Sequence, residues 1–166
     1  MSYTQPSVGI FTFAKAHKRD PEKIGSSAWR GSWYWENWPE AEEYVEGKKY
    51  DVVIFQKVWK EELYKYVDAI KILDLCDPEW MTADWPIMYM AELLDAIVVS
   101  SEGLYNALKA MGVEKHCELV WIDDRVDMSK IQTVKRPERK MKTAGWFGYH
   151  KNGENVFNLL VYYLQI

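Results

Sequence analysis

Short, nearly continuous apolar runs recur along the chain at residues 8–14 (VGIFTFA), 51–58 (DVVIFQKV), 71–76 (KILDLC), 95–99 (DAIVV) and 118–122 (ELVWI). Runs of this kind, apolar at successive rather than alternate positions, belong to strands buried on both faces, as in parallel sheets. Between them the pattern turns helical. Leu63, Tyr64, Val67 and Ile70 follow helical spacing within and just beyond residues 59–69. Pro86 suits the first turn of a helix reaching about residue 94. Ser100 and Ser101 can cap a helix over residues 102–111, which Gly112 is placed to end. Residues 41–45 (AEEYV) fit a short strand or a helical turn equally well. Residues 143–147 (TAGWF) read as a sixth strand and residues 154–164 as an apolar helix. This alternation predicts an α/β, Rossmann-like fold: a parallel sheet of about six strands with helices on both faces. Ligands of such sheets bind beyond the carboxyl ends of the strands.

Residues 24–38 (IGSSAWRGSWYWENW), beyond the loop after the first strand, hold Trp29, Trp33, Trp35 and Trp38. Gly25, Ser26 and Ser27 precede a helix-compatible segment, with Arg30 one turn in. Backbone N–H groups, hydroxyls and a guanidinium in that order can face a phosphate or an acceptor. The same serines also read as a plain helix cap, with the tryptophans in a core. Trp29 and Trp33, four apart, share one helical face and are expected in the core, whereas Trp35 and Trp38 lie off it and could line a cleft.

Asp77, at the end of the third run, stands near Trp80. A carboxylate beside an indole suits sugar recognition, because the acid accepts hydroxyl hydrogen bonds and the indole covers the apolar sugar face. Asp77 is the candidate catalytic carboxylate. Asp74, inside the run, is expected to have a structural partner. Ser101 reads chiefly as a cap, and Lys151, in a Gly148-to-Gly153 loop, as a possible diphosphate contact. Arg125 is expected to neutralise the neighbouring Asp123 and Asp124, which argues against acid–base work there.

Composition adds exclusions. The chain of 166 residues is 15% aromatic with net charge −4, and its longest basic cluster, residues 135–142, is interrupted by Pro137 and Glu138. Nucleic acid is therefore not the expected main partner. Cys76 and Cys117 lack CxxC spacing, which suits reduced thiols in a cytoplasmic protein. His17, His116 and His150 show no metal-binding spacing, and no metal is expected. No GxGxxG or Walker A spacing follows the first strand. The first residues, MSYTQPSVGI, lack a charged segment followed by an apolar one, so no signal peptide is expected, and no apolar stretch approaches the length of a membrane span.

Taken together, several segments resemble the N-terminal domain of GT-B fold glycosyltransferases of family 4 (group 1). Residues 95–113 (DAIVVSSEGLYNALKAMGV) resemble that family's strand–Ser–helix segment. Residues 119–128 (LVWIDDRVDM) are similar to its "v-i-P-N-G-V-D" stretch, with Val126 and Asp127 matching, Asp123 in place of the proline and Arg125 in place of the glycine. Residues 143–157 look like the start of the second domain, with Gly148 and Lys151 matching the glycine and lysine of its phosphate-side loop. Cys76-Asp77 falls where many members have His-Asp.

The resemblance implies sugar transfer from a nucleotide diphosphate sugar to a glycan or small-molecule acceptor, with no cofactor beyond the substrate and no essential metal. It implies an acceptor-side domain over residues 1–142, with residues 143–166 either beginning a second domain or packing back on the first. The Glu-x7-Glu motif of that second domain is absent from the sequence, so little or no transfer by this chain alone is expected, and self-association is expected to cover exposed aromatic surface. Gly25, Ser26, Ser27, Arg30, Trp80, Ser101 and Lys151 would contact donor or acceptor. The alternatives are a non-enzymatic Rossmann-like binding module, or another nucleotide-sugar enzyme such as an epimerase.

Overall fold

The computed structural model describes residues 5–124. Six parallel strands form one sheet: β1 (Val8–Thr12), β2 (Ala41–Glu43), β3 (Val52–Gln56), β4 (Ile70–Leu75), β5 (Ala96–Val99) and β6 (Glu118–Trp121), in the order β2-β1-β3-β4-β5-β6. The helices are α1 (Phe13–Ala16), α2 (Gly25–Ser27), α3 (Trp33–Asn37), α4 (Glu61–Tyr66), α5 (Glu79–Thr82), α6 (Ile87–Leu93) and α7 (Glu102–Met111). A π-helical turn, Ala28–Ser32, joins α2 to α3. The Rossmann-like architecture is as the apolar runs predict. Of residues 41–45, Ala41–Glu43 form an edge strand, β2, and a short helix, α5, follows β4. The expected sixth strand at residues 143–147, and the boundary placed at residue 142, lie outside the described residues.

Register explains the layering. Phe11, Phe55, Leu73, Ile97 and Leu119 are successive partners across β1, β3, β4, β5 and β6, so they form one row on one face. Tyr64 of α4, Ile87, Met90 and Ala91 of α6 and Leu108 of α7 belong to the same core cluster. Val8, Ile10 and Ala41 form a second core cluster, with Tyr34 and Trp35 of α3 packed against it. β1 is buried at every position, as its continuous apolar sequence requires.

Caps close α7 as expected. The Ser101 hydroxyl accepts from the Leu104 N–H at 3.3 Å, and Gly112 takes a left-handed conformation (φ 86°) whose N–H reaches back to the Leu108 and Lys109 carbonyls.

The π turn lies close against β1. A Cβ on Gly31 would fall inside van der Waals contact of Thr12 Cγ2, and Thr12 is fully buried. Gly31→Ala is therefore expected to destabilise the domain by about 1–3 kcal/mol through overpacking. A urea midpoint unchanged from wild type would show that the segment can lift off β1 without cost.

Candidate functional site

The next row along the sheet is polar. Thr12, Gln56 and Asp74 are register partners at the carboxyl ends of β1, β3 and β4. All are buried, and the helical segment after β1 supplies their partners. The Ser27 hydroxyl donates to Gln56 Oε1 at 3.0 Å and accepts the Ala14 N–H at 3.1 Å. Gln56 Nε2 has no hydrogen-bond partner among the described residues. Arg30 spans to β4, donating from Nε to Asp74 Oδ2 at 2.8 Å and from Nη2 to Asp74 Oδ1. Arg30 Nη1 donates to Asp124, just beyond β6.

This two-pronged pair is what a carboxylate inside a buried strand requires. Burial pushes the Asp74 carboxyl above the usual carboxylate range, against the pull of Arg30. Burial alone would lower the Arg30 pKa, but the hydrogen bonds and charges of Asp74 and Asp124 hold it above its ordinary value, so Arg30 stays charged.

A second ion-pair group stands at the ends of β3 and β4. Lys57 has left-handed backbone geometry (φ 52°), costly for a non-glycine residue at a strand end. Its N–H donates to the Asp74 carbonyl at 3.0 Å. Its ammonium pairs with Asp77, and with Glu79 at 2.7 Å. Burial alone would lower the Lys57 pKa, but hydrogen bonds to Asp77 and Glu79 raise it instead. Burial pushes the Cys76 thiol up to about 12, so the thiol lining the cleft is not a thiolate nucleophile at neutral pH.

Between these groups lies a cleft of about 390 Å³, lined by Gly25, Ser26, Trp29, Arg30, Cys76, Asp77 and Asp124. Its walls come from the segments following β1, β4 and β6, at the carboxyl edge where α/β sheets bind ligands. Gly25, Ser26, Arg30 and Asp77 thus meet in one place. Ser27 instead turns inward to Gln56. Trp80 packs against the main core and Ser101 caps α7, so neither lines this cleft. Lys151 lies outside the described residues.

Two partners elude local sequence patterns. Asp124 pairs with Arg30, and Trp29, expected in the core, is 43% exposed and lines the cleft. Trp35, expected to face a cleft, packs on the second core cluster, and Trp38 is exposed outside the cleft lining. The reason is the π turn, whose wider spacing shifts the helical phase between Trp29 and Trp35.

No protein-family model, curated protein or solved structure matches this chain. Among the described residues no cluster of His, Cys, Asp and Glu could hold a metal ion, and no helix is long and apolar enough to cross a membrane.

Proposed function

We propose that this chain is a glycosyltransferase-like, acceptor-side domain that binds a sugar in the Trp29 cleft and transfers little or none by itself. The observation that carries this reading is that Trp29, 43% exposed, lines the same cleft as Asp77. An indole covers the apolar face of a pyranose and a carboxylate accepts its hydroxyls.

The charge balance supports a hydroxyl-rich ligand over a nucleotide diphosphate. Arg30 and Lys57 are each paired with two carboxylates, Asp74 with Asp124 and Asp77 with Glu79. Two cations against four carboxylates leave no surplus positive charge for a diphosphate in this group. Asp77 is held as a hydrogen-bond acceptor in an ion pair, which favours recognition over proton transfer and keeps the non-enzymatic binding module as the second reading.

Calorimetric titration of the full chain with neutral methyl glycosides, UDP and GDP tests this. Saturable glycoside binding is expected, weakened about tenfold or more by Trp29→Ala, with Trp38→Ala binding as wild type. Binding of UDP or GDP without any glycoside would overturn the reading, as would robust sugar transfer by the purified chain.

A further inference from the structure

Arg30 is almost wholly buried, its side chain 7% exposed, yet one of its three carboxylate contacts comes from the solvent side. Asp74 takes Nε and Nη2 from within the sheet. Nη1 is met instead by Asp124, whose side chain is 58% exposed and which also lines the cleft. Asp124 follows the last strand of the sheet, 94 residues from Arg30 in sequence. Its neighbour Asp123 is differently engaged, accepting the Trp121 indole N–H at 2.7 Å.

The Asp124 side chain is chemically an acetate on a tether, resting on a guanidinium at the wall of a cleft. We infer that Asp124 is an internal stand-in for a ligand carboxylate, and that the cleft takes an acidic sugar of the hexuronate class whose carboxylate displaces it from Arg30 Nη1. This rests on the sugar reading of the same cleft.

Trp29, Asp77 and Arg30 line the same cleft, so an indole for a ring face, a carboxylate for hydroxyls and a guanidinium for a ligand carboxylate stand in one site. A ligand monoanion in place of Asp124 keeps one carboxylate on Arg30 Nη1, so the buried Asp74–Arg30 pair keeps its balance, while the displaced Asp124 stays at the cleft as an added negative charge that opposes binding. A neutral sugar makes no use of Nη1 and leaves Asp124 seated. A tethered carboxylate competes at an effective concentration of roughly millimolar, so wild-type protein binds the free acid weakly.

Isothermal titration of the full chain with glucuronate, methyl glucoside and acetate tests the exchange in wild type and in Asp124→Asn, Asp124→Ala and Asp123→Asn. Both Asp124 variants are expected to bind glucuronate about tenfold more tightly than wild type at low ionic strength, with a smaller gain in high salt. Methyl glucoside, which carries no carboxylate, should show no comparable gain. Asp123→Asn removes the same charge one residue away and should give no gain. The inference is overturned if neither Asp124 variant gains glucuronate affinity, or if Asp123→Asn gains as much. If methyl glucoside fails to bind wild type but acetate binding rises in the Asp124 variants, the sugar reading falls and a carboxylate position on Arg30 stands.

Discussion

Arg30→Ala is expected to destabilise the domain by about 3–5 kcal/mol, because it strands a carboxylate inside the sheet. Asp74 is buried and its carboxylate is held by two Arg30 nitrogens. Without them, the cost of desolvating the charge is unopposed and the Asp74 pKa rises further. The folded state then binds a proton that the unfolded state releases, from the ordinary carboxylate range up to the raised pKa. Stability of the variant therefore falls as pH rises through that window and recovers as pH is lowered. The deficit against wild type should be largest at neutral pH and shrink in acid. Replacing both partners, Arg30→Met with Asp74→Leu, removes the charge problem and should recover most of the loss. Urea unfolding across pH reads all of this. A pH-independent deficit in Arg30→Ala would mean that lost packing, not the stranded charge, sets the cost.

Tyr64→Ala should cost a similar amount, about 3–5 kcal/mol, for a different reason. Tyr64 is fully buried, its ring 4.5 Å from that of Phe55 and 5.1 Å from that of Trp59, centroid to centroid. Its hydroxyl donates to the Val58 carbonyl at the start of the β3–α4 connection. Truncation opens a cavity under β3 and orphans that carbonyl. Tyr64→Phe keeps the ring and loses only the hydrogen bond, so about 1–2 kcal/mol is expected. Burial holds the Tyr64 pKa well above its ordinary value, so the hydroxyl remains a donor under all mild conditions. Equal losses for the two variants would show that the hydrogen bond outweighs the ring.

The sheet was legible because β1, β3, β4, β5 and β6 carry short, mostly apolar runs, although only β1 is buried at every position and the edge strand β6 has no fully buried residue. β2 was not, since an edge strand reading AEE carries little of that signal. The site was half legible. Gly25, Ser26, Arg30 and Asp77 follow from lying beyond strand ends, which the alternation of elements locates. The Arg30–Asp74 pair, 44 residues apart, was signalled only in outline. An aspartate inside a buried strand demands a cation, and Arg30 among apolar neighbours demands an anion, but nothing local joins them. The roles of Trp29 and Trp35 exchanged because a π turn breaks the helical period on which their assignment rested. Gly31, the residue that lets this turn lie against Thr12, was the one local hint of close packing there.

On the proposed reading, the cleft beside Trp29 binds a sugar. The most direct test follows the indole N–H signals of the nine tryptophans in a nitrogen–proton NMR titration with methyl glucoside, with Trp29 assigned by Trp29→Phe. Sugar binding there gives a saturable shift of the Trp29 indole and the Asp77 amide, with the Trp38 indole unmoved. A titration in which Trp29 stays still while other signals move, or in which no signal moves, would contradict it.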